Sequence, residues 1–193
     1  MQLNLAGDEM EIIVFRLGHR LPRDERITTH VCLVARTFGA NAIIYSGQKD
    51  HSLEKSVLNI VDNWGGTFGI EHSDKPMKML RMFKKEGYSL VHLTMYGMPI
   101  EEEKQKISKL KKAVVIVGGE KVPPEVYELA DYNIAVGSQP HSEVSALAIT
   151  LDRMMMGQEL KREFDSKFLG KIYLEPSEKG KIIKRKKETK ERN

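Results

Sequence analysis

Apolar positions along this chain follow two periods. Unbroken apolar runs at Ile12–Phe15, Ala42–Tyr45 and from Val114 up to Gly118, and the mostly apolar Leu90–Met95, read as strands of a buried sheet. Helical spacing lies between them. Thr28/Thr29 precede Val31, Leu33, Val34, Ala35 and Phe38, with Gly39 as the stop. From Ser52, the positions Leu53, Val57, Ile60, Val61 and Trp64 share a face closed by Gly65-Gly66. Thr67–Ile70 reads as a short strand. Pro76 opens a helix with Met79, Leu80 and Phe83 inside, ended by Gly87. Tyr96–Pro99 reads as a loop, and Ile100–Leu110 as a charged helix with Glu-to-Lys pairs. Val114 to Ile149 then reads as strand, glycine turn, short helix, strand, glycine turn, long helix. The alternation predicts an α/β fold: a mostly parallel sheet with helices on both faces. Beyond Gly157 the pattern changes. Lys171–Glu175 and Lys181–Lys184 flank Pro176–Gly180 and predict a small C-terminal β-hairpin outside the main sheet. The expected division is a domain over 1–158 and an extension over 159–193.

At 193 residues and 40% hydrophobic content, the chain is long enough to bury a core. No apolar run reaches the ~20 residues of a membrane span, so no membrane partner is expected. The opening segment has neither a basic nor a long apolar stretch, so the expected location is cytoplasmic. A single cysteine, Cys32, and dispersed histidines suggest neither a disulfide nor a metal site. The charge is uneven. Ser177–Asn193 holds eight Lys/Arg and three Asp/Glu, so this segment carries +5 against +4 for the whole chain. Such a tail suits phosphate contact, or simply solubilises the end.

Several familiar sites are absent. There is no G-x-G-x-x-G after the first strand, no G-x-x-x-x-G-K-[ST] and no G-x-S-x-G elbow. Cys32 lies on an apolar helix and reads as packed rather than nucleophilic. Two features remain. Gly118-Gly119 and Gly137 each sit where an apolar strand ends, which is where parallel sheets bind ligands. Arg16, Arg20, Arg23 and Arg26 crowd the segment after the first strand, and arginine's planar donors suit phosphate. A solvated loop paired by Asp24 and Glu25 is the plainer alternative, as hydrogen-bonded structural roles are for His30 and His141.

These residues resemble the SPOUT RNA methyltransferases of the SpoU/TrmH type. VVIVGGEKVPPEVYELADYNIAVGSQPHSEVSALAI is similar to that group's second and third motifs run together. RLGHRLPRDERITTHVCLVARTFGA, HLTMYG and the terminal hairpin resemble one branch, the archaeal tRNA ribose 2′-O-methyltransferases acting on the T-loop cytidine at position 56. The likeness runs from about Met10 to Lys184. It implies a deep trefoil knot within Ser89–Ile149, a homodimer, tRNA as substrate and S-adenosyl-L-methionine as methyl donor, with no metal. Carried over residue by residue, it implies that Leu93 borders the adenosine. Gly118, Gly119, Glu120, Lys121 and Val122 would form one cofactor loop. Val136, Gly137, Ser138, Gln139, Pro140, His141, Ser142 and Glu143 would form the other.

The implied reaction is in-line attack of a ribose 2′-hydroxyl on the sulfonium methyl. Related enzymes assign the activating role to an arginine, for which Arg26, Arg23 and Arg20 are the candidates. Arg26 ranks first because it abuts the capped helix. A guanidinium with a pKa above ~12 is a poor base. Phosphate binding and stabilisation of the developing alkoxide suit it better. Two departures stand out: the asparagine-led first motif is missing, and Glu143 stands where the broader type often has asparagine. The alternatives are a related methyltransferase for another tRNA or rRNA position, a non-catalytic RNA-binding module, and a flavodoxin-like nucleotide binder whose usual phosphate loop is not visible here.

Overall fold

A computed structural model describes residues 10–119, 121–161 and 168–186. Six strands form one sheet in which every neighbouring pair is parallel: β1 (Glu11–His19), β2 (Ala42–Gly47), β3 (Gly69–Ser73), β4 (Ser89–Pro99), β5 (Lys112–Gly118) and β6 (Tyr132–Ala135). Their order is β3-β2-β1-β5-β4-β6. Parallel pairing places the carboxyl ends of all six strands on one edge, which is the edge that holds the site.

Side-chain alternation divides the core in two. Ile12 and Val14 of β1 face one side, where they meet residues of α1 (Glu25–Thr37), α2 (His51–Trp64), α4 (Ile100–Ile107) and α6 (Glu143–Met155). Ile13, Phe15 and Leu17 face the other, against α3 (Pro76–Lys85) and α5 (Pro124–Leu129). The expected sheet with helices on both faces is therefore present. Cys32 is buried in the first cluster, and burial pushes its thiol up to about 12, in keeping with a packing role.

The boundaries differ from expectation in four places. α1 begins at Glu25 rather than after Thr29. Thr28 is buried inside it, 2.9 Å from Nδ1 of the buried His19, whose Nε2 lies 3.3 Å from Asp50. α2 begins at His51, because the Asp50 carboxylate accepts hydrogen bonds from the Ser52 and Leu53 amides at 2.9 Å and so acts as the cap. β3 pairs with β2 two residues later than expected. β4 continues through Tyr96 to Pro99, pairing with β6 at Val91–Leu93 and again at Met98–Pro99 after an irregularity. Gly97 makes this possible, since a Cβ there would stand 2.4 Å from the Asn133 carbonyl oxygen.

The hairpin also forms. β7 (Ile172–Glu175) and β8 (Ile182–Arg185) pair antiparallel as a sheet of their own. Its stem is fastened to the end of α2. Lys171 pairs with Asp62 at 2.7 Å, and Gly65 bridges to Leu169. The Arg36 guanidinium lies 4.6 Å over the Phe168 ring and donates to the Gly65 carbonyl. The described residues end at Lys186, so the rest of the basic tail lies outside them.

Gly65 has φ +82, and a Cβ built on it would sit 1.3 Å from the Phe168 carbonyl oxygen. Gly65→Ala is therefore expected to cost more than about 1 kcal/mol, lowering Tm by a few degrees. It should also increase proteolytic cutting near the hairpin stem. Calorimetry and limited proteolysis check both.

Candidate functional site

A cleft of about 560 Å³ opens at the carboxyl ends of β1, β4, β5 and β6. The two glycine-bearing strands that flank it are not neighbours, because β4 runs between them. The segments after β5 and β6 thus straddle the end of β4, whose Leu93–Tyr96 floor the space between them. Leu93, Val122, Ile134 and Val136 supply apolar walls.

The two glycine turns serve for different reasons. At Gly118 a Cβ would fall 2.1 Å from a Val122 methyl, so only glycine lets that side chain fold back over the strand end. Gly137 has φ +73 with open space around it, so backbone conformation is what requires glycine there. The turn after β6 is held by His141, whose ring nitrogens lie against the carbonyls of Val136 and Ser142, with the ring N–H donating to one of them.

The charged end of the cleft comes from β1 and α6. Arg16 follows Ile12 and Val14 in the alternation, so the strand places a guanidinium where a third apolar side chain would stand. Its side chain is 1% exposed, and Nη2 lies 3.0 Å from Glu143 Oε1. Arg16 Nη1 donates to the Leu17 carbonyl, while Nε has no hydrogen-bond partner among the described residues. Glu143 is the first residue of α6, whose N-terminus favours a negative charge. Burial nevertheless pulls its carboxyl above the ordinary glutamate range, Arg16 opposing and Asp24 adding to the shift. Burial would also raise Asp24. There, however, the hydrogen bond and charge of Arg20 and the charge of Arg16 together prevail and hold it below its usual value.

Beneath the floor lies a polar group that sequence reasoning passed over. The Asn133 side-chain amide donates to the Tyr127 carbonyl at 2.9 Å, which turns its oxygen toward His92 Nδ1 at 2.8 Å. His92 therefore carries its proton on Nδ1. Its Nε2 is a buried acceptor without a partner among the described residues. Burial lowers the imidazole's pKa despite the Asn133 bond, so His92 is neutral. The Tyr127 ring stands edge-on to it at 4.6 Å, and the Tyr127 hydroxyl bonds Thr94 at 3.0 Å.

Among the anticipated cofactor residues, Leu93, Gly118, Gly119, Val122, Val136, Gln139, Pro140, His141, Ser142 and Glu143 line this one cleft. Lys121, Gly137 and Ser138 are exposed and do not line it. Glu120 lies outside the described residues. Of the arginines, Arg20 and Arg23 line the cleft mouth. Arg26 does not, a correction to the expectation that the helix start would hold it best. Since α1 begins at Glu25, Arg26 falls in its exposed first turn while Ile27 faces the cleft. Arg16, which the sequence assigned to a loop, is part of β1 and reaches deepest. Among the described residues no cluster of His, Cys, Asp or Glu is suited to a metal, and no helix is long and apolar enough to cross a membrane.

Comparison with known proteins places this arrangement. A family model described as tRNA ribose 2′-O-methyltransferase, aTrm56, matches residues 64–184. The tRNA (cytidine(56)-2′-O)-methyltransferase of Methanopyrus kandleri is 48% identical over 177 residues, covering 92% of this chain and 98% of the relative. The protein of the same name from Methanocaldococcus jannaschii is 51% identical over 184 residues, covering 94% and 100%. Among solved structures, an A. aeolicus TrmH/SpoU tRNA modifying enzyme superposes with a TM-score of 0.61 at 19% identity, covering 83% of this chain and 81% of that one. An AdoMet-bound rRNA methyltransferase from Sinorhizobium meliloti gives 0.58 at 17%, covering 80% and 59%. At these identities the structural likeness speaks for the fold.

His92 generates a prediction. Its pKa is lower folded than unfolded, where the ordinary value is 6.5. As pH falls through 6.5 toward the lower folded value, the unfolded chain binds a proton more readily than the folded chain, so stability falls across that window. Imidazole nitrogen NMR should place the titration midpoint of His92 below 6.5, with Nε2 as the nitrogen that is unprotonated above it. His92→Gln should remove part of the acid-side loss of Tm.

Proposed function

This chain belongs to the aTrm56 family of tRNA ribose 2′-O-methyltransferases, and from that premise we propose that it methylates the 2′-oxygen of the T-loop cytidine at position 56, with S-adenosyl-L-methionine as donor. The observation that supports this most is the convergence of both glycine-turn segments on one cleft beside Arg16 and Glu143.

The residues present fit that donor. Adenine is flat and uncharged, and the apolar walls with exposed main chain after Gly118 suit it. A sulfonium is cationic, and Glu143 supplies the opposite charge. When bound, the group supplies an electrophilic methyl carbon. The rest of the chemistry falls to the protein: it must hold the ribose in line and exclude water. Arg20 and Arg23, half-exposed at the mouth, would grip the phosphate next to the target ribose. Arg16, fixed deeper, would stabilise charge developing on the 2′-oxygen. The same reading carries with it a homodimer, a knotted segment within 89–149, and an extension over 159–193 whose basic hairpin contacts the tRNA.

The direct test is methylation of an unmodified tRNA transcript followed by nucleotide-resolved mapping. One methyl group on the ribose of cytidine 56 is expected. Incorporation elsewhere points to another RNA position. No incorporation together with no thermal shift on adding the donor points to an RNA-binding module. Arg20→Ala and Arg23→Ala should each raise KM for tRNA several-fold and reduce its salt dependence, leaving donor affinity within about twofold.

A further inference from the structure

We propose that Glu143 is the proton acceptor for the substrate's 2′-hydroxyl, with Arg16 holding its carboxylate in position. This inference rests on the ribose-methylation reading above. Elimination among the described groups lining the cleft leads to it. The arginines are permanently charged and cannot take a proton. His92 borders the cleft but is fully buried and linked to Asn133 behind the β4 floor. Both ring nitrogens of His141 are turned toward main-chain carbonyls rather than the cleft. The Tyr96 and Tyr127 hydroxyls carry their own proton and serve as donors, so two carboxylates remain. Asp24 is committed: its Oδ2 accepts from both the amide and Nε of Arg20 at 3.1 Å, and Arg23 approaches its Oδ1 at 3.9 Å. Glu143 spends only Oε1, on Arg16 at 3.0 Å. Its Oε2 accepts no hydrogen bond among the described residues.

The surroundings tune this group in opposite directions. Burial and the negative charge of Asp24 in the segment before α1 make it more basic than an exposed glutamate, while Arg16 of β1 and the N-terminus of α6 favour its ionised form. Arg20, Arg23, His92, Tyr96, Tyr127 and His141 complete the titratable and charged groups that line the cleft with it. A carboxylate paired with a guanidinium yet more basic than an exposed glutamate suits proton abstraction. In the step, the 2′-O–H bond breaks and its proton moves to Glu143. The oxygen bonds to the methyl carbon, and the methyl–sulfur bond of the sulfonium donor breaks with its electron pair left on sulfur. Charge is conserved: the sulfonium becomes a neutral thioether and the carboxylate a neutral acid.

Three readouts on the full chain test this. Glu143→Gln should lower kcat about 10²- to 10⁴-fold when assayed below its Tm, which falls because the buried Arg16 loses its counter-charge. Glu143→Ala should be rescued by added small carboxylates, more by acetate than by the less basic formate, a dependence that a residue serving only to orient Arg16 would not show. Carboxyl carbon NMR of the ligand-free protein should place Glu143 above the ordinary glutamate range. A Glu143→Gln enzyme within a few-fold of wild type overturns the proposal, as does rescue that ignores basicity or an ordinary titration. A wild-type chain that transfers no methyl group to tRNA overturns the reading beneath it as well, whereas an active wild type beside an active Glu143→Gln overturns this proposal alone.

Discussion

A guanidinium buried to 1% exposure is the constraint around which this site is arranged. An ion so far from water is tolerated only when its charge is answered at short range. The answer comes from far along the chain, from the first residue of α6. The pair therefore ties the carboxyl end of β1 to the start of the last long helix. It also fixes one wall of the cleft: Arg16 cannot leave without exposing a buried carboxylate, nor Glu143 without stranding the arginine. Gly119 lies beside the same guanidinium, 3.6 Å from it at the nearest approach of an imagined Cβ. The turn after β5, the end of β1 and the start of α6 thus meet at one charged point.

Around that point, the parallel sheet does the rest. Because β4 lies between β5 and β6, the two glycine turns are held apart by one strand's width. The gap between them is floored by apolar and hydroxyl side chains of β4. That separation makes a slot for a flat ligand rather than a closed contact between loops. Tyr127, Asn133 and His92 brace the floor from below through hydrogen bonds that satisfy all but one of their buried polar atoms.

Much of this was legible in the residues. The strand and helix periods located nearly every element, and glycines at strand ends located the cleft. The second period also explains the main misreading. Arg16 was assigned to a loop because a charged residue ends an apolar run, yet in a central strand one charged side chain can continue the alternation when a partner waits across the fold. Nothing local signals that partner. Thr28 misled for a related reason. It has the chemistry of a helix cap, but its hydroxyl is used by the buried His19, and Asp24 takes the cap position with no side-chain bond. Tyr96–Pro99 read as a loop on proline and glycine content, whereas Gly97 is there to let β4 lie against the Asn133 main chain. His92 and Asn133 are each lone polar residues within strands, and only their pairing across the sheet gives them meaning.

The claim on which the account turns is that one ligand bridges the segments after β5 and β6, with its sulfur near the Arg16–Glu143 pair. A crystal structure of the full chain with S-adenosylhomocysteine measures this directly. The account predicts adenosine against Leu93, Gly118–Val122 and Val136, with sulfur turned toward Glu143. A ligand bound elsewhere, or a cleft that stays closed and unbound at saturating concentration, would contradict it.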